Sequence, residues 1–399
     1  MRGDLMSSRR FPHALVLACA LLLTGVLSAT AGASPLFPTD TLDGPWDRTA
    51  AAPRATSEDA PFTVVAHGLR NPRGLTIGRD GTVYVAESGR AGDSCQDSDF
   101  GEVCAGLTGS VTAIDEAGQR RILLGLPSYG ERGGFAAEGP HDVAVRGRRV
   151  AVTVGLGETP RFRGELGAQM GLLGHVVTLR ADETLHARDL ARHTARVNAD
   201  GRGRDSNPHG IVWTKRGKFV TDAGGNSLAR MTAHKKTKTV AVVPRRKVDI
   251  PEEFGGGTIR MDPVPTAVVK GPGKSLYVGT FTGFPFPQGG ARVYHVVPGE
   301  RPKVVYRGLT AVIDMAVGPD GSLYLVEFVT AGLLAANPED PSTLGGRVVR
   351  IAPDGTRSTI GEGNLVVPAG VAVADNGDVY VSNLGVLPDG QVVRFDAGS

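Results

Sequence analysis

The chain has 399 residues, with 44 Lys and Arg against 41 Asp and Glu, a formal net charge of +3. Without the first 33 residues, which carry Arg2, Arg9, Arg10 and Asp4, the balance falls to +1. So nearly neutral a chain has no global field for binding nucleic acid, and no nucleic-acid partner is expected.

Residues 1–33 read as a cleaved signal peptide. Arg9 and Arg10 form a positive n-region, Ala14 to Ala29 is apolar, and Ala31-Gly32-Ala33 offers a small-x-small cleavage site. The apolar run is short for a spanning helix, so no stable membrane anchor is expected and the protein is expected to be secreted. Ser8-Arg9-Arg10-Phe11 holds only part of a twin-arginine export signal. Residues 34–60, rich in Pro, Ala, Thr and Asp, read as a flexible linker.

The remainder, 61–399, repeats one phrase six times. It starts at Pro72, Pro140, Pro208, Pro265, Val312 and Pro368, with spacings of 68, 68, 57, 47 and 56 residues. Periods of this size indicate a propeller or solenoid. Each copy reads as an apolar strand, a turn such as Asp80-Gly81 or Asp320-Gly321, and a second apolar strand. A third strand follows in every unit (Gly109–Asp115 in the first), and a fourth in most of them. Four antiparallel strands make a blade, so the pattern predicts an all-β, six-bladed β-propeller. The sixth unit ends at Ser399 after its third strand, while the strand 62–66 stands alone before the first unit. That strand is expected to complete the last blade and close the ring, removing an exposed sheet edge. A monomer is expected.

Cys95 and Cys104 share one Gly/Asp/Ser-rich loop, and in an exported protein they are expected to form a disulfide. Between Lys215 and Lys247 lie ten cationic side chains and one acid, Asp222. Blade three should therefore carry a basic outer face, which is either a solvated, aggregation-resistant edge or a surface for an anionic partner.

Propeller geometry brings the start of each first strand and the end of each second strand to one rim around the central channel. The first positions hold Arg73, His141 and His209; the second hold Glu87, Glu327 and Asn383, with Asp222 and Asn226 close by in Thr221–Asn226. Arg73, His141, His209, Asn226 and Asn383 are the candidate ligand-binding residues. Glu87, Asp222 and Glu327 are the candidate metal ligands. Their oxygens suit Ca²⁺; the two histidines with a carboxylate suit Zn²⁺. A wet channel without function is the alternative. No catalytic residue can be named, since no Gly-rich phosphate loop and no Gly-x-Ser-x-Gly elbow occurs. The loop Thr280–Gly290 holds three Phe, counting Phe281, Phe284 and Phe286. It reads as a self-packed rim loop or as an apolar wall beside the channel mouth.

Three segments in order, Asp205–Gly210, Asp222–Asn226 and Thr282–Tyr294, resemble the ScyD/ScyE family of bacterial propeller proteins, over most of 60–399. The family takes its name from genes clustered with biosynthesis of an indole–phenol sunscreen pigment. The resemblance implies an exported propeller, distantly related to NHL-repeat and gluconolactonase-like propellers, and implies no reaction. Two functions stay open: a secreted propeller that binds a small molecule or an envelope partner at its channel-mouth face, and a metal-dependent hydrolase or lyase with its site at the top of the channel.

Overall fold

A computed structural model describes residues 61–98, 101–233 and 236–397. The expected signal peptide and linker lie outside the described residues. The six repeats form six four-stranded antiparallel blades. Blade two shows the common form: Pro140–Arg146, Arg149–Val154, His175–Leu179 and Leu185–Asp189, hydrogen-bonded in that order. Blade one departs from it, because its third and fourth strands are long (Gly101–Asp115 and Gly118–Gly130) and the extra strand Ser94–Ser98 pairs with the third. A separate hairpin, Arg246–Asp249 with Thr258–Met261, lies between blades three and four in the chain.

Blade six takes its outer strand from the N-terminal side. Thr63–Leu69 pairs antiparallel with Gly390–Phe395, as the incomplete last repeat requires. Apolar packing closes the ring as well. Ala66, Leu69 and Val392 of blade six share a core with Leu75, Val83 and Val85 of blade one. The alternation of each strand gives every blade two apolar faces, and each face meets one neighbour.

A hydrogen-bonded seam runs around the inner strands. Ser88 Oγ donates to Pro140 O at 2.7 Å, His141 Nδ1 to Pro208 O at 3.0 Å and His209 Nδ1 to Thr266 O at 2.9 Å. Thr266 Oγ1 donates to Val312 O at 2.6 Å, Asp314 Oδ2 accepts from Val371 N at 2.9 Å, and Ser382 Oγ donates to Arg73 O at 2.7 Å. Each blade thus satisfies a main-chain group of the next, which the close-packed centre hides from water.

Candidate functional site at the channel mouth

In five of the six blades the pairing of first and second strand shifts just after its opening residue: past Pro72, Pro140, Pro208, Pro265 and Val312. Such a shift inserts unpaired backbone and re-aims the side chains that follow. It decides which residues of the phrase face the axis.

Arg73, His141 and His209 come together at the mouth. The two imidazoles stack with centroids 4.4 Å apart. Arg73 donates from Nε to Ser88 Oγ at 3.2 Å and from Nη2 to Ala137 O at 3.0 Å. A carbonyl only accepts, so Nδ1 carries the hydrogen in both histidines. Burial, and then the charges of His141 and Arg73, hold His209 well below the ordinary imidazole value. His209 is therefore neutral, with Nε2 as an acceptor. His141 Nε2 lies 2.9 Å from Glu138 Oε1, both groups being buried.

The sequence reading missed two members of this cluster. Glu138 stands two residues before Pro140, and Asn207 immediately before Pro208, just outside the repeated phrase. Asn207 Oδ1 accepts from Leu156 N at 3.0 Å, while its buried Nδ2 has no partner. Gly155 makes room for the group: a Cβ there would stand 2.5 Å from His141 Cε1 and 2.8 Å from Asn207 Oδ1.

The candidate metal ligands are placed differently. Glu87 is fully buried and turned along its own blade. It accepts from Arg70 N at 2.7 Å, Ser110 Oγ at 3.0 Å, Arg121 Nη2 at 2.8 Å and Thr112 Oγ1. Glu327 repeats the arrangement, accepting from Thr310 N and from Arg347 Nε, both at 2.7 Å. Asp222 accepts from Asn207 N at 2.8 Å, Gly225 N at 3.0 Å, and Ser206 Oγ and Thr194 Oγ1 at 2.6 Å each. The helix Leu190–Val197, capped by Asp189, delivers Thr194 to it. Asn383 accepts from Val366 N at 2.8 Å, and Asn226 joins Asp200, Asp262 and Val264 on the blade-three rim. These five side chains clasp the connections between blades and do not meet one another or the histidine pair. Their expected role in lining the channel does not match these contacts. Four of them end a second strand and Asn226 lies in the turn after one; each accepts from a main-chain amide just ahead of a blade's first strand.

A different carboxylate pair faces the axis. Asp142 and Asp314 occupy the same place in the first strands of blades two and five. Each accepts from its following amide, and each reaches the next blade, Asp142 at Ile211 N (2.7 Å) and Asp314 at Val371 N. Burial pushes Asp314 up to about 7. Burial, and then the charge of Asp314, push Asp142 well above the carboxylate range.

Among the described residues, the only group of three His, Cys, Asp or Glu donors close enough for one ion is Cys95, Glu102 and Cys104, and its two cysteines are joined in a disulfide. No such group gathers at the mouth. The Phe-rich loop packs on itself: Phe284 lies 6.1 Å from Phe286 and 5.9 Å from Phe254, while Phe281 meets Phe328. On blade three, Lys218 lies over Trp213, Arg216 over Phe219, and Arg245 pairs with Asp262 at 2.6 Å. Much of the basic face is thus tied into the blade.

No protein-family model matches the chain, and no curated protein matches it. The solved structures similar to it are propeller proteins. One is a protein of unknown function from Bacteroides thetaiotaomicron, 10% identical over 84% of this chain and 75% of that chain, TM-score 0.50. Others are the aldose sugar dehydrogenase of Streptomyces coelicolor, PQQ-bound (13%, covering 83% and 96%, TM-score 0.46), and the virginiamycin B lyase of Staphylococcus aureus (10%, covering 83% and 98%, TM-score 0.46). At these identities the likeness is one of fold.

Proposed function

We propose that this chain is a secreted propeller of the ScyD/ScyE type that binds a small polar ligand at its channel mouth. The observation that carries this is the buried polar cluster around Gly155, in which Asn207 Nδ2 has no partner. Buried polar atoms are nearly always paired, and one left open in a cluster on which the neutral His209 imidazole stacks through His141 is suited to a ligand's hydroxyl or carbonyl. The segment Asp205–Gly210 supplies both Asn207 and His209, and Asp222 braces it, so the resemblance and the cluster fall on the same residues. The binding reading is preferred to a metal-dependent hydrolase because three metal donors do not converge there.

The test is a thermal-shift panel of sugars, hydroxy acids and phenols, run in parallel on the wild type and on His209→Asn. The Asn amide nitrogen takes the place of Nδ1 and can still donate to Thr266 O, so the seam survives while the Nε2 acceptor is lost. A compound that stabilises the wild type and leaves His209→Asn unshifted supports the reading. Stabilisation equal in both proteins, or by no compound, counts against it.

A further inference from the structure

Away from the channel mouth, three arginines gather without an acid. Arg246 comes from the hairpin after blade three, Arg292 from the third strand of blade four and Arg307 from its fourth. Among the described residues none of the three forms an ion pair, although Arg245, next to Arg246, is paired with Asp262. Arg246 Nη2 donates to Gly290 O at 2.8 Å, which fixes its guanidinium against the rim loop. Burial, and then the charges of Arg292 and Arg307, lower its pKa. Unbalanced like charge in a partly desolvated place is costly unless a counter-charge enters.

A crevice lies at this point. Its cavity is about 10 Å³, lined by Arg246, Arg292, Thr280, Thr282, Tyr294 and Met261 among others. That is about the space of one water-sized group. A single oxygen of a carboxylate or phosphate has that size. The Thr282 hydroxyl, which makes no hydrogen bond to another described residue, can donate to it. The remaining oxygens would meet the in-plane N–H edges of the guanidiniums at the mouth, where forked donors suit them.

We propose that this crevice between blades three and four is a binding site for an oxyanion, a carboxylate or phosphate group, held by Arg246 and Arg292 with one oxygen seated beside Thr282 and with the charge of Arg307 adding to the local field. The site is independent of the histidine cluster. It gives a function to the Thr280–Gly290 loop that self-packing of its phenylalanines leaves unexplained.

Isothermal titration with inorganic phosphate, phenyl phosphate and benzoate, each against sodium chloride at equal ionic strength, tests it. Saturable 1:1 binding of at least one oxyanion is expected, weakened about tenfold or more in Arg292→Gln, which lines the crevice, and by a smaller factor in Arg307→Gln, which contributes charge alone. Both side chains make no ion pair in the fold and their loss relieves like-charge repulsion, so the melting temperatures of the variants should equal or exceed that of the wild type and keep the comparison valid. Tighter binding of phenyl phosphate than of inorganic phosphate would identify the anionic end of a larger molecule; the reverse would identify a free ion. Heat reproduced by chloride alone, no saturable binding, or equal affinity in both variants would overturn the proposal and leave the crevice as a place for one water.

Discussion

Two pairs of carboxylates in this ring look alike in sequence and differ in environment. Glu87 and Glu327 end the second strands of blades one and five, and each meets an arginine that reaches solvent. Asp142 and Asp314 sit in the first strands of blades two and five and meet only backbone amides and each other's field. The first pair are clasps, each closed by an ion pair to an arginine. The second pair share a low-dielectric axis in which two negative charges repel. A repeat fixes where a residue stands; its partners decide what the residue does.

The sharpest way to break the contrast is to remove a clasp. Glu327→Ala would leave Thr310 N and the Arg347 guanidinium without their buried acceptor, and Glu87→Ala would do the same to Arg70 N and Arg121. Removing one partner of a buried pair costs about 3–5 kcal/mol. Arg347 and Arg121 are 29% and 28% exposed and can turn partly to water, so the low end, about 3 kcal/mol each, is expected. The sites are far apart, and the double variant should lose the sum. Urea unfolding measures both. A loss under about 1 kcal/mol would show that the clasps are ordinary surface ion pairs.

The axial pair should respond to pH with the opposite sign from an ion-paired carboxylate. Asp314 is raised to about 7 in the fold, against 3.8 for the free side chain. Between those values the folded state holds the extra proton. Its contribution to stability is complete below about pH 4 and is lost as pH rises through about 7. From pH 5 to pH 8 the wild type should lose on the order of 3 kcal/mol through this pair, since linkage counts the protons of both raised groups, which titrate together. Asp314→Asn should flatten that slope, as measured by urea midpoints across the range. An unchanged slope in Asp314→Asn would place the titration elsewhere.

The ring was legible in the sequence because periodic apolar strands and a missing last strand are local features that topology then completes. Blade count and closure by Thr63–Leu69 needed nothing more. The meeting of Arg73, His141 and His209 was legible too, since register alone places them. Side-chain direction was not. The shift after Pro140 brings both His141 and Asp142 toward the centre, and no periodicity announces it. Nor did the repeat point to Glu138 or Asn207, which precede the phrase and vary from blade to blade. Asn207 could have been found by asking which polar residue in Asp205–Gly210 lacks a turn or a cap to serve. The pairing of Arg292 with Arg246 escaped for a related reason: 46 positions separate them, and only the packing of a hairpin on the next blade brings them to one crevice, neither in an ion pair among the described residues.

The smallest expected effect concerns a cross-link that lies beside a clasp without supporting it. Cys95 and Cys104 are direct partners in the register of the strands Ser94–Ser98 and Gly101–Asp115. The bridge spans 9 residues. Chain entropy for so short a loop gives about 2–3 kcal/mol, credited to whatever unit unfolds with it. That unit is a peripheral hairpin on the third strand of blade one; Glu87, by contrast, reaches Ser110 and Thr112 farther along the same strand, where the blade is fully paired. Replacing both cysteines by serine should therefore shift global unfolding by less than about 1 kcal/mol. Amide exchange should rise across 94–105 and stay unchanged at Val111 and Thr112. Faster exchange at Val111 and Thr112 would mean that hairpin and clasp open as one unit, and the division between a blade's fixed core and its rim would have to be drawn farther inward.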